Sequence, residues 1–250
     1  MKEHISTNRV LSKLDGFLNK NDYVSAERHI LYWISEAEKL CDNRCRLLLL
    51  NELAGLYRKL NRKDDALKVV KSALEAVCAM GIEDNVGAAT TFINCGTVYK
   101  AFDLAEDALP LFYKARDIYE RELAETDRRL GGLYNNMALT LVDLKSFDEA
   151  YILYDKAVSV MESTENGMLE VAITYLNIAS AKESELGAED SESVIDELLN
   201  KAAEILDNYE IKGGYYAFVC EKCASVFLYY GHFVYGEELK ERAKRIYEGA

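Results

Sequence analysis

The sequence contains few of the residues that interrupt helices. Pro110 is its one proline, and 14 glycines are spread over 250 residues. A β-sandwich or barrel needs turn residues about every 8 to 12 positions, so this scarcity argues against an all-β fold. Half of the residues are hydrophobic, which excludes disorder and supplies apolar material for a continuous core. The composition therefore favours an all-α protein.

Basic residues are also in short supply. The 30 lysines and arginines are outnumbered by 43 aspartates and glutamates, which gives a formal net charge of −13. Because a phosphate backbone must be met by an excess of positive charge, this balance argues against nucleic acid as a partner. A bound protein or peptide segment is expected to be neutral or basic.

Long apolar stretches are missing as well. The longest dense run is Leu47 to Leu50, far short of the roughly 18 apolar residues that a membrane-spanning helix needs. The N-terminal segment has no uninterrupted apolar region of the kind found in signal peptides. Six cysteines in a chain of this length are too few for a disulfide scaffold. We expect a soluble, cytoplasmic protein with free thiols and no membrane partner.

The sequence shows none of the residue groupings that carry out catalysis or bind metals. Its three histidines lie far apart, and we find no nucleophile with a base, no glycine-rich phosphate loop and no metal-ligand spacing. The pair Cys220 and Cys223 would need two further ligands to form a structural zinc site. We interpret both cysteines as buried thiols, and we predict no cofactor and no enzymatic activity.

A repeat of about 42 residues organises the chain. Small residues recur along the chain in three series, which we call ladders. The first has steps of 42, 42, 41 and 45 residues; the second lies 12 residues after the first, and the third lies seven residues after the second. Small side chains at these offsets let two antiparallel helices approach closely, and the surrounding 3.6-residue apolar period predicts helical hairpins. The ladders are Ala54, Gly96, Ala138, Ala179 and Ala224; Ala26, Ala66, Ala108 and Ala150; and Ala73, Ala115, Ala157, Ala202 and Ala243.

The starts of two second helices carry a further signal. Asp103 is followed three residues later by Glu106, and Ser146 by Glu149. Both pairs fit the capping box, in which a short oxygen-bearing side chain and an acid three residues on satisfy free amides at a helix start. We predict that second helices begin at these two points.

These motifs resemble the tetratricopeptide repeat. Ala54 and Tyr57 match its small-x2-Tyr element, and Ala108, Phe112 and Ala115 match its Ala-x3-aromatic-x2-Ala element. The step is longer than the usual length of about 34 residues and is similar to that of kinesin light chain and bacterial tetratricopeptide proteins. The resemblance implies a right-handed superhelical α-solenoid of about six hairpins in one domain, residues 1–250. The predicted repeats are approximately 7–46, 47–88, 89–130, 131–171, 172–216 and 217–250.

Three repeats depart from the pattern. The first is recognisable mostly in its second helix, which Asp22 precedes. The fifth has Lys182 where the tyrosine belongs and carries an insertion between Gly187 and Ser193. The last has a polar second helix, which a terminal repeat needs in order to face water. We expect divergence at these positions and a regular stack between about residues 47 and 163.

Asparagines mark the wall on which the family binds its partners. In tetratricopeptide proteins this concave wall is formed by the first helices, and the residue two before the small one is often an asparagine that grips an extended peptide backbone. Here that position holds Asn94, Asn136 and Asn177, whereas the preceding repeat has Glu52 with Asn51 beside it. The resemblance implies one file of amides along a groove. The alternative is that each asparagine bonds neighbouring backbone inside the groove or caps a loop.

Two other features, one on the same wall and one near the C-terminal end, suggest binding. Arg58 and Lys100 resemble part of the basic clamp that some family members use on a C-terminal carboxylate. The region of the last first helix is dense in aromatic residues and is a second candidate surface. Its aromatic residues are Tyr215, Tyr216, Phe218, Tyr229 and Tyr230.

The sequence therefore predicts an adaptor or scaffold that binds a protein or peptide segment in the groove of a tetratricopeptide solenoid. The alternative is a peptide-signal sensor acting on a separate effector, similar to the tetratricopeptide pheromone receptors of Gram-positive bacteria. A third hypothesis is an enzyme with an unfamiliar active site, which would require a deep closed pocket instead of an open groove. The identity of the partner and the oligomeric state are left open.

Overall fold

A computed structural model of the protein describes residues 5–249, and every regular element in that range is an α-helix. The helices pair through short connections into six antiparallel hairpins. The predicted all-α class and the six hairpins are confirmed. The helices are α1 (Thr7–Leu18), α2 (Tyr23–Lys39), α3 (Asn43–Lys59), α4 (Lys63–Met80), α5 (Val86–Ala101), α6 (Ala105–Glu122), α7 (Arg128–Asp143), α8 (Phe147–Glu162), α9 (Met168–Leu186), α10 (Ala188–Asn208), α11 (Gly214–Tyr229) and α12 (Phe233–Glu248).

The contacts between helices divide the chain into two compact units. Unit 1, described over residues 5–122, holds α1 to α6, and unit 2, described over residues 123–249, holds α7 to α12. Within unit 1 the first helices α3 and α5 touch each other, and within unit 2 α9 touches both α7 and α11. Second helices pack on the following first helix, as α4 does on α5 and α8 on α9. A single domain and a right-handed superhelix stay predictions.

The first helices begin slightly before the predicted repeats. Those from α3 onward start at residues 43, 86, 128, 168 and 214, three or four positions upstream of the predicted boundaries. The small-residue ladders locate the centre of each hairpin, where side chains interlock. They carry no information on how far the helix extends toward its N-terminus, which the caps decide.

The small-residue ladders lie in the core. Ala138, Ala179 and Ala224 have no accessible surface, and the same is true of Ala66, Ala108 and Ala150 in the second ladder. Gly96 shows the physical reason, because a Cβ atom there would lie 2.8 Å from Cε1 of Phe112. The ring of Phe112 on α6 fills the space that a side chain at Gly96 on α5 would occupy. Burying such a ring stabilises the fold by about 2 kcal/mol.

A left-handed backbone residue recurs in the hairpin turns. At Asn61 φ is +55°, and the amide of Arg62 donates to the Tyr57 carbonyl (2.9 Å), which is the six-to-one hydrogen bond of a Schellman turn. The bond closes the turn in very few residues. The same turn recurs at steps of 42 residues, at Asn61, Asp103 and Lys145, each followed by a six-to-one hydrogen bond.

The geometry of these turns contradicts the two predicted capping boxes. Asp103 has φ of +61° and lies in the turn itself, while α6 begins at Ala105. Ser146 does precede α8, but its side chain makes no cap hydrogen bond. The predicted helix starts were therefore correct to within two residues, whereas the predicted side-chain caps were wrong. The backbone bond of the turn sets the chain direction there, and it places Asp103 in a conformation that aspartate tolerates.

The fifth hairpin accommodates its extra residues by lengthening both helices. Helix α9 has 19 residues and α10 has 21, and Gly187 with φ of +85° is the one residue between them. The residues between Gly187 and Ser193 therefore form the first turns of α10. An insertion that continues a helix leaves the packing of the remaining turns unchanged.

The last hairpin presents a polar side chain where the others bury an apolar one. Val70, Phe112 and Tyr154 occupy equivalent positions in α4, α6 and α8, and all three have 0% exposure. The corresponding residue of α12 is Lys240, which is exposed. A lysine there is stable only if its ammonium group reaches water.

None of the helices in residues 5–249 combines the length and the apolar composition that crossing a membrane requires.

Candidate functional site

An open cavity of about 920 Å³ lies along α3 and α5 in unit 1. Each helix contributes one stripe of side chains, because residues three and four apart share a helix face. The α3 stripe runs from Arg44 to Glu52, and the α5 stripe runs from Val86 to Asn94. The stripe residues are Arg44, Leu47, Leu48, Asn51 and Glu52 on α3, and Val86, Gly87, Thr90, Thr91 and Asn94 on α5.

The cavity combines an apolar floor with an acidic rim. Met80 and Ile82, from the end of α4 and the loop after it, add apolar surface to the leucines of α3. Three carboxylates line the cavity, those of Glu52, Asp84 and Glu122, against the single guanidinium of Arg44. The lining therefore carries a formal charge of about −2, which attracts positively charged groups.

Asn51 connects the two helices and keeps one acceptor unused. Its amide nitrogen donates to the Leu47 carbonyl (3.1 Å) and to Oγ1 of Thr91 (3.0 Å). Its carbonyl oxygen Oδ1 is buried and has no hydrogen-bond donor among the described residues. A buried acceptor without a donor costs about 1–3 kcal/mol, so a ligand N–H that displaces the groups covering Oδ1 would recover that cost.

Asn94 faces the same cavity from α5. It is half-buried, and within residues 5–249 its side chain forms no hydrogen bond. Its carbonyl oxygen and its amide hydrogens are therefore available to a ligand. Of the predicted site residues, the structure brings Asn51 and Asn94 together in unit 1, with Glu52 beside them.

Glu52 is a carboxylate that lacks a counter-charge. It forms no ion pair or hydrogen bond with another described residue, although its side chain reaches solvent. The protein around it partly desolvates the carboxylate, and this desolvation, together with the negative charge of Asp15 on α1, raises the pKa of Glu52 above its ordinary value. A nearby cation would stabilise its ionised form.

In unit 2 the predicted asparagines differ from each other. The side-chain amide of Asn177 donates to Oδ1 of Asn135 on the neighbouring first helix (3.0 Å). This amide is therefore used within the protein, although its partner is a side chain and not the backbone that the alternative interpretation named. Asn136 is half-buried, and in the described part of the chain its side chain makes no hydrogen bond. Asn136 keeps both amide groups available, and Asn177 keeps its carbonyl oxygen.

Arg58 and Lys100 lie away from the cavity. They occupy the last turns of α3 and α5, and neither lines the cavity. Arg58 is seven residues beyond Asn51, a separation of about 10 Å along the helix axis. The structure therefore does not bring the two basic residues to the amides of Asn51 and Asn94. A carboxylate clamp built on them would be separate from the cavity.

Cys220 and Cys223 are buried side by side on α11. Their exposures are 0% and 1%, and burial raises the pKa of the Cys223 thiol to about 12. A thiol with so high a pKa stays protonated at neutral pH and is a poor nucleophile and metal ligand. Across residues 5–249, no cluster of three or more histidine, cysteine, aspartate or glutamate residues is arranged to hold a metal ion.

The predicted aromatic patch is divided by the fold. Tyr215, Phe218 and Tyr229 are exposed on α11, and the rings of Tyr215 and Phe218 stack with centroids 6.1 Å apart. Tyr216 is buried and donates to the Leu206 carbonyl (3.0 Å), and the Tyr230 hydroxyl donates to Glu183 (3.0 Å). Only part of the predicted patch therefore faces solvent.

Several cavity residues were not predicted from sequence. Arg44, Thr90 and Thr91 continue the helical stripes that contain Asn51 and Asn94, so the spacing of three and four residues could have found them. Asp84 lies in a loop and Glu122 at the end of α6. Nothing in the repeat pattern places these two beside α3, because loop geometry and the ends of distant helices are set by packing.

Comparison with known proteins identifies the fold. No family model matches the sequence. Protein KINESIN LIGHT CHAIN-RELATED 2 of Arabidopsis thaliana is 28% identical over 129 residues, which are 50% of this chain and 19% of the relative's length. BtubC (BKLC) from P. vanneervenii has a similar structure, with a TM-score of 0.69, 19% identity and 82% of each chain covered. The chain has a tetratricopeptide-repeat fold.

The tetratricopeptide fold extends over nearly the whole chain in a second comparison. The Rap protein complexed with competence and sporulation factor matches 99% of this chain and 66% of its own, with a TM-score of 0.61 and 14% identity. At such low identities the likeness concerns the fold. The chain resembles kinesin light chains and bacterial tetratricopeptide proteins, as its 42-residue step predicts.

Proposed function

We propose that this tetratricopeptide protein is a scaffold that binds a protein or peptide segment along its first helices. The main support is the cavity between α3 and α5, where Asn51 Oδ1 is buried without a donor and Asn94 has an unused amide. An extended peptide offers N–H and C=O groups that pair with such amides irrespective of its side chains.

The likeness to the Rap protein supports this role. That protein was solved with competence and sporulation factor bound, and its fold matches 99% of this chain. We propose that Asn51, Asn94, Asn136 and Asn177 act as backbone grips, and that Arg58 and Lys100, which lie apart from the cavity, provide a separate basic contact. The proposed role is binding without catalysis or cofactor, in the cytoplasm. The proposed partner is a neutral or basic protein or peptide segment, and neither nucleic acid nor a membrane is proposed as a partner.

The proposal is tested by selecting peptides from a random display library against the intact chain. Selected peptides are then titrated by fluorescence anisotropy against the wild type and an Asn51→Ala, Asn94→Ala double variant. The loss of about two hydrogen bonds should weaken binding at least tenfold, which corresponds to roughly 1.4 kcal/mol. Asn200→Ala, an exposed position on the second helix α10, is the control and should bind as the wild type does.

Two outcomes would overturn the proposal. In the first, no peptide is enriched over a selection without protein. In the second, the double variant binds the selected peptides as tightly as the wild type does. The triple variant of Asn94, Asn136 and Asn177 then tests whether the groove continues beyond the cavity.

The Rap likeness also favours a second candidate, a peptide-signal sensor that acts on a separate effector. A sensor must have two conformations with different affinities for the peptide, whereas a scaffold needs one. Small-angle X-ray scattering with and without a selected peptide separates the two. A change in radius of gyration on saturation supports the sensor, and an unchanged value supports the scaffold.

A further inference from the structure

We infer that the cavity of unit 1 selects a segment in which an apolar residue is adjacent to a basic one, preferably arginine, whose cation is received by Glu52. This inference rests on the proposed function and names the chemistry of its partner. Its basis is the arrangement of three kinds of surface within one cavity: an apolar floor, an acidic rim and a buried acceptor.

The apolar floor provides the first element of selectivity. The side chains of Leu48, Met80, Ile82 and Val86 are half-buried and face the cavity together with Leu47. They come from α3, the end of α4 and the start of α5, so they form a surface of limited width. Such a surface takes one or two apolar side chains of a partner, because burying them removes apolar area from water on both sides.

Glu52 provides the second element. The other carboxylates of the cavity are already near an arginine, since Arg121 donates to Oε1 of Glu122 (2.8 Å) and to the backbone carbonyl of Asp84 (2.9 Å). Glu52 has no such neighbour, and Arg44 lies two helical turns away on the same stripe, about 12 Å along the axis. A cation brought by the partner would therefore meet an uncompensated carboxylate.

Asn51 provides the preference for arginine. Its Oδ1 is a buried acceptor without a donor, next in sequence to Glu52 on the same cavity stripe. A guanidinium carries five N–H donors in a planar fork, so it can donate to the Glu52 carboxylate and, by displacing the groups that cover Oδ1, to the adjacent amide oxygen as well. A lysine ammonium is a compact point charge and fits one of the two acceptors better than both.

The position of Glu52 in the repeat supports this role. It is the residue two before the small one, and the corresponding residues of the later first helices are Asn94, Asn136, Asn177 and Lys222. An acid therefore occurs at this position once among these five helices. We therefore expect Glu52, which replaces the asparagine of the three following repeats, to determine the preference for a positively charged partner.

The experiment uses peptides selected from the random library against the intact chain, with binding measured at about 0.15 M salt, where exposed charges are screened beyond about 8 Å. Each selected peptide is resynthesised with citrulline, the uncharged analogue of arginine, in place of its arginine. Two variants are compared with the wild type: Glu52→Gln, and Glu83→Gln as a control. Glu83 is an exposed acid of the α4–α5 loop that does not line the cavity.

We expect selected peptides to carry an arginine next to an apolar residue, and citrulline to weaken their binding to the wild type at least tenfold. The citrulline effect should disappear in Glu52→Gln and persist in Glu83→Gln. Enriched peptides without basic residues, or an equal citrulline effect in both variants, would overturn the inference while leaving the scaffold proposal intact. A selection that enriches no peptide would reject both.

Discussion

Asn177 donates its side-chain amide to Oδ1 of Asn135, and the hydrogen bond of 3.0 Å joins α9 to α7. In unit 1 the bond from Asn51 to Thr91, also 3.0 Å, joins α3 to α5. Asn51 and Asn135 hold the same position of their repeats, three residues before the small one. Asparagine side chains therefore connect consecutive first helices within each unit, and only the amide groups left over are available for the proposed binding.

The Asn177–Asn135 bond predicts a cost in stability. Replacing Asn177 with alanine removes the bond and leaves Oδ1 of Asn135 without its donor, which should lower the free energy of unfolding by about 1 kcal/mol. Urea denaturation followed by circular dichroism measures this. Asn136→Ala is the matched control, because its side chain makes no hydrogen bond to another described residue. Equal stabilities of the two variants would contradict the structural role of the bond.

Two glycines in first helices should respond in opposite directions to alanine. A Cβ at Gly96 would lie 2.8 Å from Cε1 of Phe112, so Gly96→Ala should destabilise the fold by about 1–3 kcal/mol through overpacking. Gly55 has no atom within 4 Å of the same position, so Gly55→Ala should stabilise α3 by about 0.5–1 kcal/mol. Thermal denaturation compares the two. A Phe112→Leu change made together with Gly96→Ala should recover part of the loss.

The hairpin turns offer a second opposed pair. Cys41 adopts φ of +53° in the turn before α3, a conformation that glycine takes without steric cost, so Cys41→Gly should stabilise the protein by up to about 1 kcal/mol. Cys78 is an exposed cysteine inside α4, where glycine weakens a helix by about 0.5–1 kcal/mol. Chemical denaturation of the two cysteine-to-glycine variants should therefore give shifts of opposite sign. Shifts of the same sign would reject the argument.

Tyr57 predicts a loss of stability at high pH. It is 6% exposed and donates to Oε1 of Glu27 (2.8 Å), and burial, followed by this bond and the charge of Glu27, raises the pKa of Tyr57 from 10.0 to about 12. Above pH 10 the unfolded chain releases the proton that the folded protein retains. The contribution of Tyr57 is therefore complete below pH 10 and is lost as the pH rises toward about 12.

The free energy of unfolding, measured by urea denaturation at several pH values from 9 upward, should fall less steeply in Tyr57→Phe than in the wild type. Phenylalanine has no proton to release, so its contribution does not depend on pH. Tyr32→Phe, at an exposed tyrosine of α2, controls for the removal of one hydroxyl. Identical slopes in the wild type and Tyr57→Phe would contradict the prediction.

The sequence predicted part of the candidate site because helical spacing is local. Asn94 lies two residues and Asn51 three residues before the small residue of its repeat, and the helix period assigns both to the same face of first helices. Asp84 and Glu122 could not be found in this way, since a loop and the end of α6 reach the cavity only through packing. The hydrogen bond from Asn177 to Asn135 also depends on the distance between α9 and α7, and this distance cannot be read from the residue types.

The sequence by itself determined the α-helical class, the 42-residue step and the six hairpins. Each rests on short-range rules: apolar residues recur with the period of a helix, and small residues occur where helices must approach. Only the tertiary structure decided how the turns close, which asparagines keep free amide groups, and that Glu52 lies in a cavity without a counter-charge. These properties depend on distances between atoms far apart in the chain, and packing alone fixes those distances.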